Sequence, residues 1–128
     1  MKINRAAECM EALGNETRLE IFRALVRAGP EGAPVGELQR LLAIPGSTLS
    51  HHIARLVRVG LVTQERQSRT LICRADFPKM HNLVNFLSEN CCGGLEGLQT
   101  ETAAPLSKEE PDAQLPGEEE HLQARIAT

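Results

Sequence analysis

Residues 45–62 constrain this chain more than any other stretch. They run Pro45-Gly46-Ser47-Thr48-Leu49-Ser50-His51-His52-Ile53-Ala54-Arg55-Leu56-Val57-Arg58-Val59-Gly60-Leu61-Val62. The pattern reads as a turn, a helix, a glycine stop and the start of a strand. On a helical wheel Leu49, Ile53, Leu56 and Val57 fall on one side. Ser47, Thr48, His51, Arg55 and Arg58 fall on the other. That outer face offers hydroxyls, an imidazole and two guanidiniums, and no carboxylate. Such an inventory suits phosphates and base edges.

Charge supports a nucleic-acid partner. The whole chain carries a formal charge of −3 over 128 residues. Residues 1–94 nevertheless carry a net +3, and residues 95–128 a net −6. Between positions 40 and 74 there are six arginines and one acid, Glu65. The positive charge is thus gathered around the helix just described.

Hydrophobic spacing divides the rest. Ile3, Ala6, Ala7, Met10 and Leu13 recur at helical intervals, and Gly14-Asn15 ends that helix, with Asn15 placed to cap the next. Leu19, Phe22 and Val26 line one side of a second helix, stopped at Gly29-Pro30. Gly32 to Pro34 reads as a loop. Val35, Leu38, Leu41 and Leu42 give a short third helix, and Ser47 is placed to cap the fourth. Leu61–Arg66 and Thr70–Ala75 read as strands about a turn at Gln67-Ser68-Arg69. Phe77, Met80, Leu83, Val84, Leu87 and Cys91 form the stripe of a last helix that ends at Gly93-Gly94. The predicted class is mainly α with a small β-hairpin, a winged helix-turn-helix in the order α-α-α-α-β-β-α.

Two segments follow: a folded domain over 1–94 and an acidic tail over 95–128. The tail holds Glu109-Glu110, Glu118-Glu119-Glu120 and three prolines, and few large apolar residues. It is expected to stay mostly disordered, because it buries too little to offset ordering entropy. No apolar run reaches the length of a membrane span, and the N-terminus lacks the apolar core of a secretory signal. The expected location is cytoplasmic, with the four cysteines as reduced thiols. No cofactor motif and no nucleophile with an evident base is present, so no enzyme is expected.

The order of elements and its motifs resemble the ArsR/SmtB family of winged-helix transcriptional repressors. The residues that carry the resemblance are Leu13-Gly14-Asn15-Glu16-Thr17-Arg18-Leu19-Glu20-Ile21 and Ser47-Thr48-Leu49-Ser50-His51-His52-Ile53-Ala54-Arg55-Leu56. Val59-Gly60-Leu61-Val62 and the wing arginines Arg66 and Arg69 extend it, so that it covers about residues 3–92. The family implies a homodimer joined through its first and last helices, a palindromic double-stranded operator, and release of DNA on binding a metal or thiol-reactive effector. The chain departs from the family's better-known sensor sites. Its third helix has no Cys-x-Cys, and its last helix lacks the paired Asp-x-His and His-x-x-Glu/His set. What remains is Cys91-Cys92, which resembles the thiol sites of arsenic-responsive members.

The expected DNA-contact set is therefore Ser47, Thr48, Ser50, His51, His52, Arg55, Arg58 and Arg69. For His52 a structural hydrogen bond and a phosphate contact both fit. Neither histidine has a partner at i+4, which speaks against metal. Cys91 and Cys92 are the expected effector site, for As(III) or an organoarsenical, with no cofactor required. On a continuous helix their side chains diverge by about 100°, so sharing one soft ion would twist the helix end. Cys9 and Cys73 read as packed thiols; Cys73, or Cys9 of the partner subunit in the dimer the family implies, could supply a third ligand. Two rivals stand beside this reading. One is a repressor of the same fold that senses thiol oxidation or persulfidation; the other is a winged-helix protein–protein adaptor.

Overall fold

A computed structural model describes residues 1–97. The expected tail from residue 98 onward lies outside the described residues. Five helices and three strands occur in the order α1 (Ile3–Leu13), α2 (Glu16–Ala28), β1 (Ala33–Pro34), α3 (Val35–Leu42), α4 (Gly46–Arg58), β2 (Val62–Gln67), β3 (Thr70–Ala75) and α5 (Phe77–Ser88). Short 3₁₀ turns follow α2 and α5. The chain divides into two compact units, with the division inside α5 between Val84 and Asn85.

Asn15 caps α2 as its sequence position implies. Its side chain accepts from the Arg18 backbone N–H at 3.0 Å, satisfying one of the donors a helix start leaves open. The core face of α2 differs from expectation. Ile21, Phe22 and Leu25 are buried, whereas Leu19 is exposed. Two apolar stripes overlap on this helix, and the one set by Ile21 and Leu25 turns inward. On α1 the buried face is the small-residue row Ala6, Cys9 and Ala12, which lets α1 approach its neighbours closely, while Ile3 and Met10 face outward.

Residues 32–34 are not a loop throughout. Ala33 and Pro34 form an edge strand opposite Cys73 and Ile72, giving a sheet in the order β1-β3-β2. Proline is tolerated there because an edge strand does not need every N–H. Gly32 sets up this pairing at φ 73°, where a side-chain Cβ would collide with the Cys73 carbonyl oxygen. β2 and β3 pair antiparallel from Val62↔Ala75 to Gln67↔Thr70, so the turn is the two residues Ser68-Arg69 rather than three. Ser68 sits at φ 62°.

The helix-turn-helix closes between α3 and α4. Ala43 takes a left-handed conformation at φ 54°, and the Ile44 N–H donates to the Gln39 carbonyl at 3.3 Å. Pro45, not Ser47, is the N-cap residue of α4, and no side chain caps it. Pro45 is extended at ψ 146°, and the helix begins directly after it, which leaves Ser47 inside the first turn. Leu49, Ile53 and Leu56 of α4 join Ile21, Leu25, Leu38, Leu61 and Val62 in the core. Truncating a leucine of this set to alanine costs on the order of 2–5 kcal/mol.

The last helix is shorter than its apolar spacing suggests. It ends at Ser88, and Asn90 and Cys92 take left-handed φ values of 60° and 67°. Cys91 and Cys92 therefore lie in a turn beyond the helix, not on its stripe. Among the described residues no helix is long and apolar enough to cross a membrane.

Candidate nucleic-acid interface and thiol pair

The outer face of α4 follows the helical wheel with two departures: Val57, expected on the inner side, is exposed, and Arg55, expected on the open side, is half-buried. Ser47, Thr48, Ser50, His51 and Arg58 are exposed, and His52 and Arg55 are half-buried. No acidic residue occupies the first turn of α4, so the positive end of its dipole and the hydroxyls of Ser47 and Thr48 are open to an anion. Arg69 stands exposed at the tip of the wing, with Arg66 exposed on β2.

The basic residues of this region fall into two groups. Arg40 lies 3.7 Å from Glu37, and Arg55 lies 3.7 Å from Glu11 of α1. Arg74 donates to Glu65 at 2.6 Å and, through Nε, to the Pro30 carbonyl at 3.1 Å. That hydrogen bond, a second from Gln67 and the Arg74 charge hold the Glu65 carboxyl below its ordinary pKa. The one acid of the basic stretch is thus neutralised by a neighbour. Among the described residues Arg58, Arg66 and Arg69 make no ion pair. The Glu11–Arg55 pair is solvent-exposed on the Glu11 side and contributes little stability.

His52 has a neighbour that the wheel did not supply. Nη1 of Arg18, on α2, lies 3.4 Å from Nδ1 of His52, and Nε of the same guanidinium donates to the Ala12 carbonyl at 2.6 Å. Burial, then the Arg18, His51 and Arg55 charges, push the His52 pKa below its ordinary value. The His51 and His52 rings meet edge to face, with centroids 5.9 Å apart. Arg18 stands inside the Asn15-to-Ile21 motif, and nothing in its helical spacing signals that it reaches across to α4.

None of the four cysteines is in a disulfide. Cys9 is buried, with Sγ 3.8 Å from the Val59 carbonyl, and burial raises its pKa. Cys73 is buried in the sheet beside Gln64 Nε2 at 3.6 Å, and burial likewise raises its pKa. Cys91 is half-exposed and Cys92 exposed, and their sulfurs lie 3.3 Å apart. The expected divergence of about 100° fails because it presumes a helix that has already ended. Cys92 is left-handed in this turn, and the two sulfurs lie within contact distance of each other. Among the described residues no group of three or more metal-binding side chains occurs.

A wing set against a helix-turn-helix, with a basic outer helix, defines a winged-helix regulator. The comparisons agree. A family model described as a helix-turn-helix domain matches residues 13–65. The transcriptional activator HlyU of Vibrio cholerae is 30% identical over 88 residues, covering 69% of this chain and 79% of that protein. Its solved structure superposes with a TM-score of 0.57 at 29% identity, over 70% of this chain and 94% of that one. A second structure, of reduced HlyU, gives 0.56 at the same identity and covers 70% and 90%. A protein of Halobacterium salinarum, named as the arsenical resistance operon repressor ArsR, is 40% identical over 60 residues. That match spans 47% of this chain and 46% of the relative, under half its length. An ArsR-like regulator of Rhodococcus, 22% identical with a TM-score of 0.64 over 80% of this chain and 94% of that one, shares the fold. The chain belongs to the ArsR/SmtB family of winged-helix transcriptional regulators, a family without enzymatic activity.

Proposed function

We propose that this chain is a homodimeric repressor that reads a double-stranded operator through α4 and the wing, and releases it when a trivalent arsenical binds Cys91 and Cys92. The DNA-reading part rests on the exposed Ser47, Thr48, Ser50, His51 and Arg58, the half-buried His52 and Arg55, and Arg69 at the wing tip. With α4 in the major groove, the wing lies over the flanking backbone or minor groove. Dimerisation has support in uncovered apolar side chains. On α1, Ile3 is 74% exposed and Met10 45%; on α5, Leu87 is 61% exposed. So much outward apolar surface on two short helices fits a two-fold interface.

The observation that carries the effector reading is the 3.3 Å separation of the two sulfurs. A tetrahedral ion with bonds of about 2.3 Å holds its thiolates about 3.8 Å apart. An ion with a stereochemically active lone pair closes that angle toward a right angle, which at the same bond length brings the sulfurs to about 3.3 Å. The Cys91 and Cys92 sulfurs, 3.3 Å apart and within reach of a hydrogen bond from either thiol to the other, stand close enough for both to bind one such ion. An arsenical with one carbon substituent needs only these two thiolates.

The test is release of a duplex selected from a random library by the full chain. Arsenite and a monosubstituted trivalent arsenical are titrated against wild type, Cys91→Ser and the double serine variant. The reading holds if arsenicals release the wild type and not the variants. It falls if the double variant binds and releases DNA at wild-type arsenical levels. A second reading, sensing of thiol oxidation or persulfide, is favoured by the exposure of the same adjacent pair. A relative, HlyU, has itself been solved in a form described as reduced. Release by peroxide or a persulfide donor with arsenicals inert selects it.

A further inference from the structure

Arg18 and His52 form a contact whose polarity is fixed by chemistry. A guanidinium has five N–H donors and no acceptor. At 3.4 Å from Arg18 Nη1, Nδ1 of His52 can only be the acceptor. In a neutral imidazole the proton then resides on Nε2. The guanidinium is not free to turn away. Its Nε donates at 2.6 Å to the carbonyl of Ala12, in the last turn of α1, where carbonyls lack helical partners. The Arg18 backbone N–H is in turn held by Asn15 at 3.0 Å. Three elements thus fix one ring: α1 through Ala12, α2 through Arg18, and α4 through His52 itself.

We propose that Arg18 is a positioning residue that locks His52 as the neutral Nε2–H tautomer, so that the imidazole meets DNA as a hydrogen-bond donor. The inference rests on the reading of α4 as the DNA-contacting helix. The partner is an acceptor: a phosphate oxygen or a purine edge atom in the major groove. Protonating the ring would turn Nδ1 into a donor facing a donor. The charged groups acting on the ring are Arg18 on α2 and His51 and Arg55 on α4, with Glu11 of α1 against Arg55. The three on α2 and α4 oppose a second proton, in keeping with the neutral form.

Three measurements on the full chain decide it. Nitrogen chemical shifts of the His52 ring in the wild type at pH 7 are expected to show Nε2 protonated and Nδ1 bare; the reverse tautomer or an even mixture overturns the proposal. In Arg18→Met, provided its amide spectrum remains native, the tautomers should mix and the His52 pKa should rise. An unchanged ring overturns it, and if that variant unfolds the wild-type shifts still decide. DNA affinity is then read with His52→Ala and His52→Gln, on the selected duplex and on a scrambled one. His52→Ala is expected to bind about tenfold more weakly, the size of one good hydrogen bond, with His52→Gln restoring part of the loss through its amide donor. Loss on both duplexes identifies a phosphate, and loss on the selected duplex alone a base edge. If Arg58→Ala weakens binding and His52→Ala does not, this proposal fails while the reading of α4 stands. If neither does, α4 is not the contacting helix.

Discussion

The four thiols differ in what surrounds their sulfur atoms. Cys9 and Cys73 are buried and their pKa values are raised, which removes both access and thiolate. Cys92 is exposed and Cys91 half-exposed. Brief alkylation of the native chain at pH 7.5, read by peptide mass spectrometry, is therefore expected to label residues 91 and 92 and to spare 9 and 73 until denaturant is added. His52 supplies a pH dependence with a definite sign. Its folded pKa lies below the unfolded value of about 6.5, so the unfolded chain binds the proton more readily. The contribution is full above that value and is lost as pH falls from it to the folded pKa. Urea midpoints should drop between pH 7.5 and 5.5 by more in the wild type than in His52→Gln. An equal drop in both would remove His52 from the account.

At the scale of elements, the wing turn and the end of α5 carry the sharpest expectations. Ser68 occupies the first central position of a two-residue hairpin at positive φ, the position that favours glycine. Ser68→Gly is expected to stabilise the chain by about 0.5–1 kcal/mol in urea denaturation, since the left-handed penalty exceeds the added entropy cost. Leu87 lies on α5 with most of its surface uncovered. Leu87→Glu should yield monomers in sedimentation with the helix content retained; a variant that stays dimeric places the interface elsewhere. Elements were legible where a cap or a stop spelled them out. Asn15 before α2 and Gly29 after it did so. They were illegible where two signals overlapped. Leu19 and Val26 offered α2 a second apolar stripe beside Ile21 and Leu25, and only tertiary packing selects between them. Ser47 looked like a cap because serine favours that role, but the extended Pro45 had already started the helix. The spacing of Leu87 and Cys91 continued the helical period past its true end, since the period does not register a left-handed Asn90. The two-residue β1 contains a proline and exists only through its partner strand. The polar face of α4 was legible because periodicity alone sorts its sides. The Arg18–His52 contact was not, because it joins residues 34 apart through the packing of α2 on α4.

For the whole molecule, the wing in the proposed function contacts the phosphate backbone, which carries no base identity of its own. Arg69 is exposed and makes no ion pair among the described residues. Arg69→Ala should weaken binding to selected and scrambled duplexes alike and lower the slope of log affinity against log salt by about 1, one counterion's worth. An unchanged slope would place the wing away from the duplex. The clamp of Ala33 and Pro34 on Cys73 and Ile72 gives this contact a mechanical character. Beyond the clamped rung, Glu65↔Ile72, the hairpin extends only through Arg66↔Leu71 and Gln67↔Thr70 before it turns. At 3.4 Å per residue that overhang is about 7 Å, a stub too short to flex far. On the proposed reading, so short a wing reaches only phosphates that pass close to the sheet, and a duplex whose backbone lies farther away would have to bend to meet it, at a cost set by its stiffness.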